Sequence, residues 1–123
     1  MSGVYGQGLD VTIVAGADLS DQQYKPVGLT GLLATSADNV FGILQTKPQA
    51  GEHGTVRWHG FSKAYMSCSL GLGALVMGSN ATSGYLALAT SGYQAFAEVF
   101  IAANSGGYGT LKLYGGPLRR LLA

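Results

Sequence analysis

The chain has 123 residues, 47% of them hydrophobic and only 11% charged, with a formal net charge of +1. That length suits one domain, and so small a charge leaves no electrostatic footprint for nucleic acid. The single cysteine, Cys68, excludes an intramolecular disulfide and with it the usual small secreted scaffold.

Residues 1–8 (MSGVYGQG) carry three glycines and no apolar period, and read as a flexible N-terminal arm. No basic segment followed by a long apolar core stands there, so no signal peptide is expected, and synthesis in the cytosol fits. Residues 9–123 read as a single β domain. Its first strand is 9–15 (LDVTIVA), β-branched and partly alternating. A polar turn follows over 16–23, where Asp18, Ser20 and Asp21 can bond nearby backbone. The short strand at 24–29 contains Pro26, which cannot donate to a ladder and so belongs at a sheet edge. A turn over 30–39 leads to the compact apolar strand 40–46 (VFGILQT) and a loop over 47–54. The longest strand is expected at 55–67, with a bulge or bend at Gly60. Further strands are expected at 70–75 (LGLGAL), 85–89 (YLALA), 95–103 and 109–114 (GTLKLY), with Pro117 ending the last. No apolar run reaches the roughly 18 residues of a membrane helix. Many short strands spaced about 8 to 12 residues apart argue for an all-β barrel or sandwich.

The chain also repeats itself. Residues 34–60 align without a gap on residues 89–115, an offset of 55. The identical pairs are Ala34/Ala89, Thr35/Thr90, Ser36/Ser91, Phe41/Phe96, Gly51/Gly106, Gly54/Gly109, Thr55/Thr110 and Gly60/Gly115. Each copy reads as turn, apolar strand, Gly-rich turn, second strand, so the fold is expected to contain two related β units. The repeat decides the reading of 95–103, whose alanines would otherwise allow a helix.

Little in the sequence points to chemistry. His53, His59 and Glu52 lack metal-ligand spacing, and Gly54 argues against one strand holding both histidines. Their counterparts in the repeat are Tyr108 and Tyr114. Cys68 has no base beside it and reads as a small buried residue. The Gly-rich stretches GVYGQG and GLGALVMG lack the strand-loop-helix frame of a phosphate site. Six acidic residues offer no recognisable catalytic pair. The expectation is therefore a protein that is not an enzyme, with no catalytic residues, metal or cofactor. Seven tyrosines and Trp58 could form a stacking platform for sugars, or simply core and interface. A surface this poor in charge is one that partners tend to cover.

The order VTIVAGADLS, then VFGILQTKPQAGEHGTV (40–56), then a Gly-rich middle and GTLKL (109–113), resembles the small capsid decoration (cement) proteins of tailed bacteriophages. The likeness covers about residues 9–115 and departs from the family at Trp58, at FAEVF (96–100) and in the LRRLL tail. It implies a homotrimer on the outer surface of the capsid that stabilises the head, with the major capsid protein as partner and neither nucleic acid nor membrane involved. It also implies that the arm and first strand add to a capsid strand by β-augmentation. Val4, Tyr5, Leu9 and Val11 are then interface candidates, with Trp58 and Tyr65 as further anchors. The alternative reading is a β-barrel binding module for carbohydrate or another surface ligand.

Overall fold

The computed structural model describes residues 8–35, 40–66, 69–79, 84–88, 94–104, 106–114 and 119–120. Among them lie ten strands and no helix: β1 (Gly8–Val14), β2 (Pro26–Val27), β3 (Gly42–Leu44), β4 (His53–Tyr65), β5 (Leu75–Gly78), β6 (Leu86–Leu88), β7 (Gln94–Ala95), β8 (Ala97–Ile101), β9 (Tyr108–Tyr114) and β10 (Arg119–Arg120). Eight strands form one antiparallel sheet in the order β2-β3-β4-β9-β8-β5-β6, with β1 added to β4. The sheet is nearly closed and barrel-like, so the all-β architecture expected from the sequence is present. The strands β7 and β10 pair separately.

Most strands stand where the pattern puts them, and several expectations need correction. No strand occupies 70–74. Leu70 makes one isolated bridge to Ala103, and β5 begins only at Leu75. The intervening glycines offer no side chain to pack, and Gly73 sits at φ 81°, which ends extended backbone. The 95–103 stretch is broken at Phe96 into β7 and β8, and the chain beyond Pro117 pairs again, through β10. Gly54 lies inside β4 rather than ending it, so His53 and His59 do share one strand. The arm over 1–7 lies outside the described residues; Gly8 already belongs to β1.

The two β units share one pairing scheme. Adding 55 to the β3–β4 pairs Ile43↔Arg57 and Leu44↔Val56 gives the β8–β9 pairs Glu98↔Lys112 and Val99↔Leu111. The correspondence runs beyond residues 34–60. The pair Val27↔Gly42 has its counterpart in Val76↔Ala97, and the bridge Val27↔Leu33 in Val76↔Leu88. The β1–β4 pairs Val14↔His53 and Ile13↔Gly54 recur as Tyr65↔Tyr108 and Ala64↔Gly109. Thus β4 is used twice. Its first half closes the first unit between β1 and β3. Its second half stands beside β9 as β1 stands beside β4.

Turns repeat as well. The Ala15 N–H donates to Glu52 O at 2.9 Å, and the Met66 N–H to Gly107 O at 2.8 Å. Both hairpin loops turn on a left-handed glycine, Gly51 at φ 84° and Gly106 at φ 89°.

Two cores follow from the two units. One contains Ile13, Ala15, Leu19, Val27, Leu44 and Val56. The equivalent positions, Ala64, Met66, Leu70, Val76, Val99 and Leu111, all lie in the other. Volume is traded between neighbours. The cross-strand pair Leu44↔Val56 becomes Val99↔Leu111, and Ile13 with Ala15 becomes Ala64 with Met66. Such swaps keep total volume, which is the change a packed core tolerates best. The strand β3 joins the cores: Leu44 enters the first and adjacent Ile43 the second, both fully buried.

Because β4 runs through both units, they should unfold together. Leu44→Ala and Leu111→Ala, one per core, should each lower unfolding stability by about 2–5 kcal/mol. Each variant should keep a single transition in urea monitored by Trp58 fluorescence and by circular dichroism. Two separated transitions would show that the units fold independently.

Candidate interaction surfaces

The residues expected at an interface fall in different places. Val4 and Tyr5 lie outside the described residues. Leu9 and Val11 are on β1, Leu9 exposed and Val11 half-buried against the first core. The strand β1 pairs with β4 alone, so no strand among the described residues lies on its other edge, where only the Gly31 turn approaches, at the Val14 end. Register slips between Leu9 and Asp10, which face His59 and Arg57, so Trp58 is the extra residue of a bulge. The expected irregularity at Gly60 is thus two residues earlier, although Gly60 itself has φ 103°. The bulge aims the half-buried Trp58 ring onto Phe41, stacked at 6.1 Å, with His59 at 6.2 Å. Tyr65 stands at the far end of β4, seven residues and roughly 20 Å along the strand from Trp58. Leu9 and Trp58 therefore belong to one region and Tyr65 to another.

The β1 edge is pinned by charge. Arg57 grips Asp10 with two bonds, Nε–Oδ1 at 2.8 Å and Nη2–Oδ2 at 3.2 Å, and donates from Nη1 to Phe61 O at 3.0 Å. The pair is partly exposed, so it contributes at most about 1 kcal/mol, and its geometry serves mainly to hold the bulge. Between β9 and β8 the Tyr114 hydroxyl donates to the Glu98 carboxylate. That bond holds the phenol proton, so the Tyr114 pKa lies above its ordinary value of 10.0, with smaller contributions from burial and the Glu98 charge.

A larger cluster surrounds Tyr65; its members are scattered over more than 80 positions of chain, so the tyrosine count allows a stacking platform without showing which rings meet. Ring centroids of Tyr24 and Tyr108 are 5.8 Å apart, those of Tyr108 and Tyr65 5.7 Å, and those of Tyr65 and Tyr85 6.1 Å. Two ammonium groups sit over these rings. Lys25 Nζ is 5.2 Å from both Tyr65 and Tyr85; Lys63 Nζ is 5.2 Å from Tyr24 and 5.7 Å from Tyr108. Such contacts are worth about 0.5–1 kcal/mol each at exposed sites. The strands explain the placement: Lys63 and Tyr65 alternate onto the same face of β4, and Tyr108 is the cross-strand partner of Tyr65.

Elsewhere the surface is apolar. Phe100 and Ile101 are exposed, and Phe100 packs on Phe61 at 4.9 Å. Leu29 and Leu32 line an open pocket of about 330 Å³ with Val40 and Phe41. A second, of about 480 Å³, lies at the first hairpin loop between Pro48 and His53. Among the described residues no group of three His, Cys, Asp or Glu could hold a metal ion, and Cys68 lies outside them.

No protein-family model and no curated protein matches the chain. Among solved structures it is similar to the crystal structure of the head fiber gp8.5 N base in bacteriophage phi29. The TM-score is 0.68 over 90% of this chain and 98% of that one, at 12% sequence identity. At that identity the likeness is one of fold, and it extends over nearly the whole of both chains.

The Tyr114–Glu98 bond predicts a pH dependence. A raised folded-state pKa means stability that is whole below pH 10.0 and lost as pH rises through the higher folded value. The melting-temperature difference between the native protein and Tyr114→Phe should shrink above about pH 10. A difference constant from pH 8 to 11 would refute the bond's role.

Proposed function

We propose that this chain is a structural protein of a tailed-bacteriophage virion, carried on the outside of the head. The observation that carries the reading is the fold shared with the N base of a head fiber over nearly the whole of both chains. The resemblance of residues 9–115 to capsid decoration proteins supports it from the sequence side. So does a surface with few charges and several exposed large apolar residues, including Leu29, Leu72 and Phe100.

In this reading the protein binds the major capsid protein as a homotrimer and cements the expanded shell. Each copy buries a modest area, and linkage across a lattice multiplies the effect. The free edge of β1, continued by the arm, meets a capsid strand, with Leu9 and Val11 beside the contact and Trp58 behind it. The protein catalyses no reaction, holds no cofactor, and contacts neither nucleic acid nor membrane. It is made in the host cytoplasm and joins the head there.

Two measurements test this. Quantitative mass spectrometry of purified particles should find the protein near-stoichiometric with the major capsid protein. A few copies per particle would replace cementing by a fibre-like role, and absence would overturn the virion reading. Deleting residues 1–7 should abolish binding to heads while leaving the circular dichroism spectrum unchanged. Undiminished binding would remove the arm as anchor.

A further inference from the structure

The tyrosine–lysine cluster is not required by the scaffold, because the same scaffold is built a second time without it. In the first unit the positions equivalent to Lys63, Tyr65 and Tyr108 are Thr12, Val14 and His53. The positions equivalent to Tyr24 and Lys25 are Gly73 and Ala74 in the second unit: Tyr24 N–H bonds Leu44 O as Gly73 N–H bonds Val99 O, and Leu44 N–H bonds Lys25 O as Val99 N–H bonds Ala74 O. The fold makes both turns, yet only one gathers rings and ammonium groups.

Tyr24 adds an independent observation. It adopts φ 69°, a left-handed conformation that no other non-glycine residue among those described takes, and its counterpart Gly73 has φ 81°. A side chain there is disfavoured by about 1–2 kcal/mol relative to glycine. A strained tyrosine where the twin turn uses glycine is the kind of outlier from which function is inferred. Its ring, half-buried against the rim of the second core, faces Tyr108, which is 53% exposed, so the strain places an aromatic group between core and surface.

The charges in the cluster are uncompensated. Neither Lys25 nor Lys63 has a carboxylate partner among the described residues. Lys25 donates to Gln22 Oε1 at 2.8 Å, and that amide in turn donates to Asp21 at 2.8 Å, so Lys25 is linked to Asp21 through a neutral group.

We propose that Tyr24, Tyr65, Tyr85 and Tyr108, with Lys25 and Lys63, form a binding surface for an acidic glycan, a saccharide bearing carboxylate or phosphate groups. Aromatic rings take the C–H faces of sugar rings, phenol hydroxyls donate to and accept from sugar hydroxyls, and the ammonium groups take the acid. Two cations are too few for a polynucleotide, whose affinity rests on many phosphate contacts. The surface is a row of rings rather than an enclosed pocket, and the two pockets described above lie elsewhere. The site is independent of the head-binding reading.

The test uses the full-length protein and calorimetric titration with oligogalacturonate, a hyaluronan hexasaccharide and a phosphomannan oligosaccharide. Neutral dextran and a polyglutamate of matched charge are the comparison ligands. At least one acidic saccharide should bind saturably, about tenfold or more tighter than dextran and polyglutamate. Lys63→Gln and Tyr108→Ala, both exposed, should weaken that binding by about fivefold or more while keeping the native circular dichroism spectrum and a cooperative melt. Tyr24→Gly should weaken it too, and relief of the left-handed backbone should offset part of the lost ring packing, so the variant keeps its fold. Binding of none of the three saccharides overturns the proposal. Equal binding of polyglutamate turns the surface into one for acidic protein, and unchanged binding by all three variants places the ligand elsewhere.

Discussion

The structure depends on one strand with two employers. The thirteen residues of β4 supply the last strand of the first unit and the first strand of the second. Pairing with β1 and β3 consumes its first half, and pairing with β9 its second. Antiparallel pairing fixes register absolutely where a face is buried, since a slip of one residue exchanges core and solvent faces. Register in β4 therefore sets register in both units at once. Val56 and Ala64, both fully buried on this strand, seat the two cores along a single backbone. The bulge at Trp58 and the left-handed Gly60 lie where the strand passes from one unit to the other, and there the added twist of a bulge lets one strand serve two differently oriented neighbours.

Symmetry holds at the six paired core positions and breaks elsewhere. Core positions exchange volume while conserving the total, as Leu44 and Val56 do with Val99 and Leu111. Outward positions are under no such constraint. Ile43 is buried against the second core, whereas its equivalent Glu98 faces outward and accepts from Tyr114. Thr12, Val14 and His53 occupy in one unit the places of Lys63, Tyr65 and Tyr108 in the other. Duplication supplies two copies of a stable frame. Differences between the copies then carry information about binding that neither copy alone would give.

Strand positions were readable because alternation and β-branching report half-buried extended chain directly. The gapless alignment at an offset of 55 located the hairpin pairs β3–β4 and β8–β9. The remainder of the duplication was hidden by loop length. Between Val27 and Leu33 the chain makes a short turn, while the equivalent Val76 and Leu88 are separated by a hairpin six residues longer. Between Leu19 and Tyr24 it is two residues longer than between Leu70 and Gly73. Those changes shift the offset, and the core swaps remove the identities that would bridge it. The tyrosine cluster was beyond reach for another reason: Tyr24, Tyr65, Tyr85 and Tyr108 meet only through long-range pairing, and no local pattern encodes that. In the sequence Tyr65 stands as an anchor candidate, while Tyr24, Tyr85 and Tyr108 are marked only as members of a tyrosine-rich chain.

Charge plays a small part in holding this molecule together, and that bears on how it meets partners. Among the described residues the one ion pair, Asp10–Arg57, is partly exposed and screened by salt. Stability rests on two apolar clusters and a backbone ladder, neither of which salt weakens. An interface made from the β1 edge and exposed leucines would share that character, gaining little from electrostatic steering and losing little in high salt. The Lys25–Lys63 surface is the opposite case, because its ammonium groups attract an anionic ligand over a Debye length that shrinks from about 10 Å at 0.1 M salt to about 3 Å at 1 M. One small fold thus presents two faces whose responses to ionic strength differ in kind, and attachment through one need not disturb binding through the other.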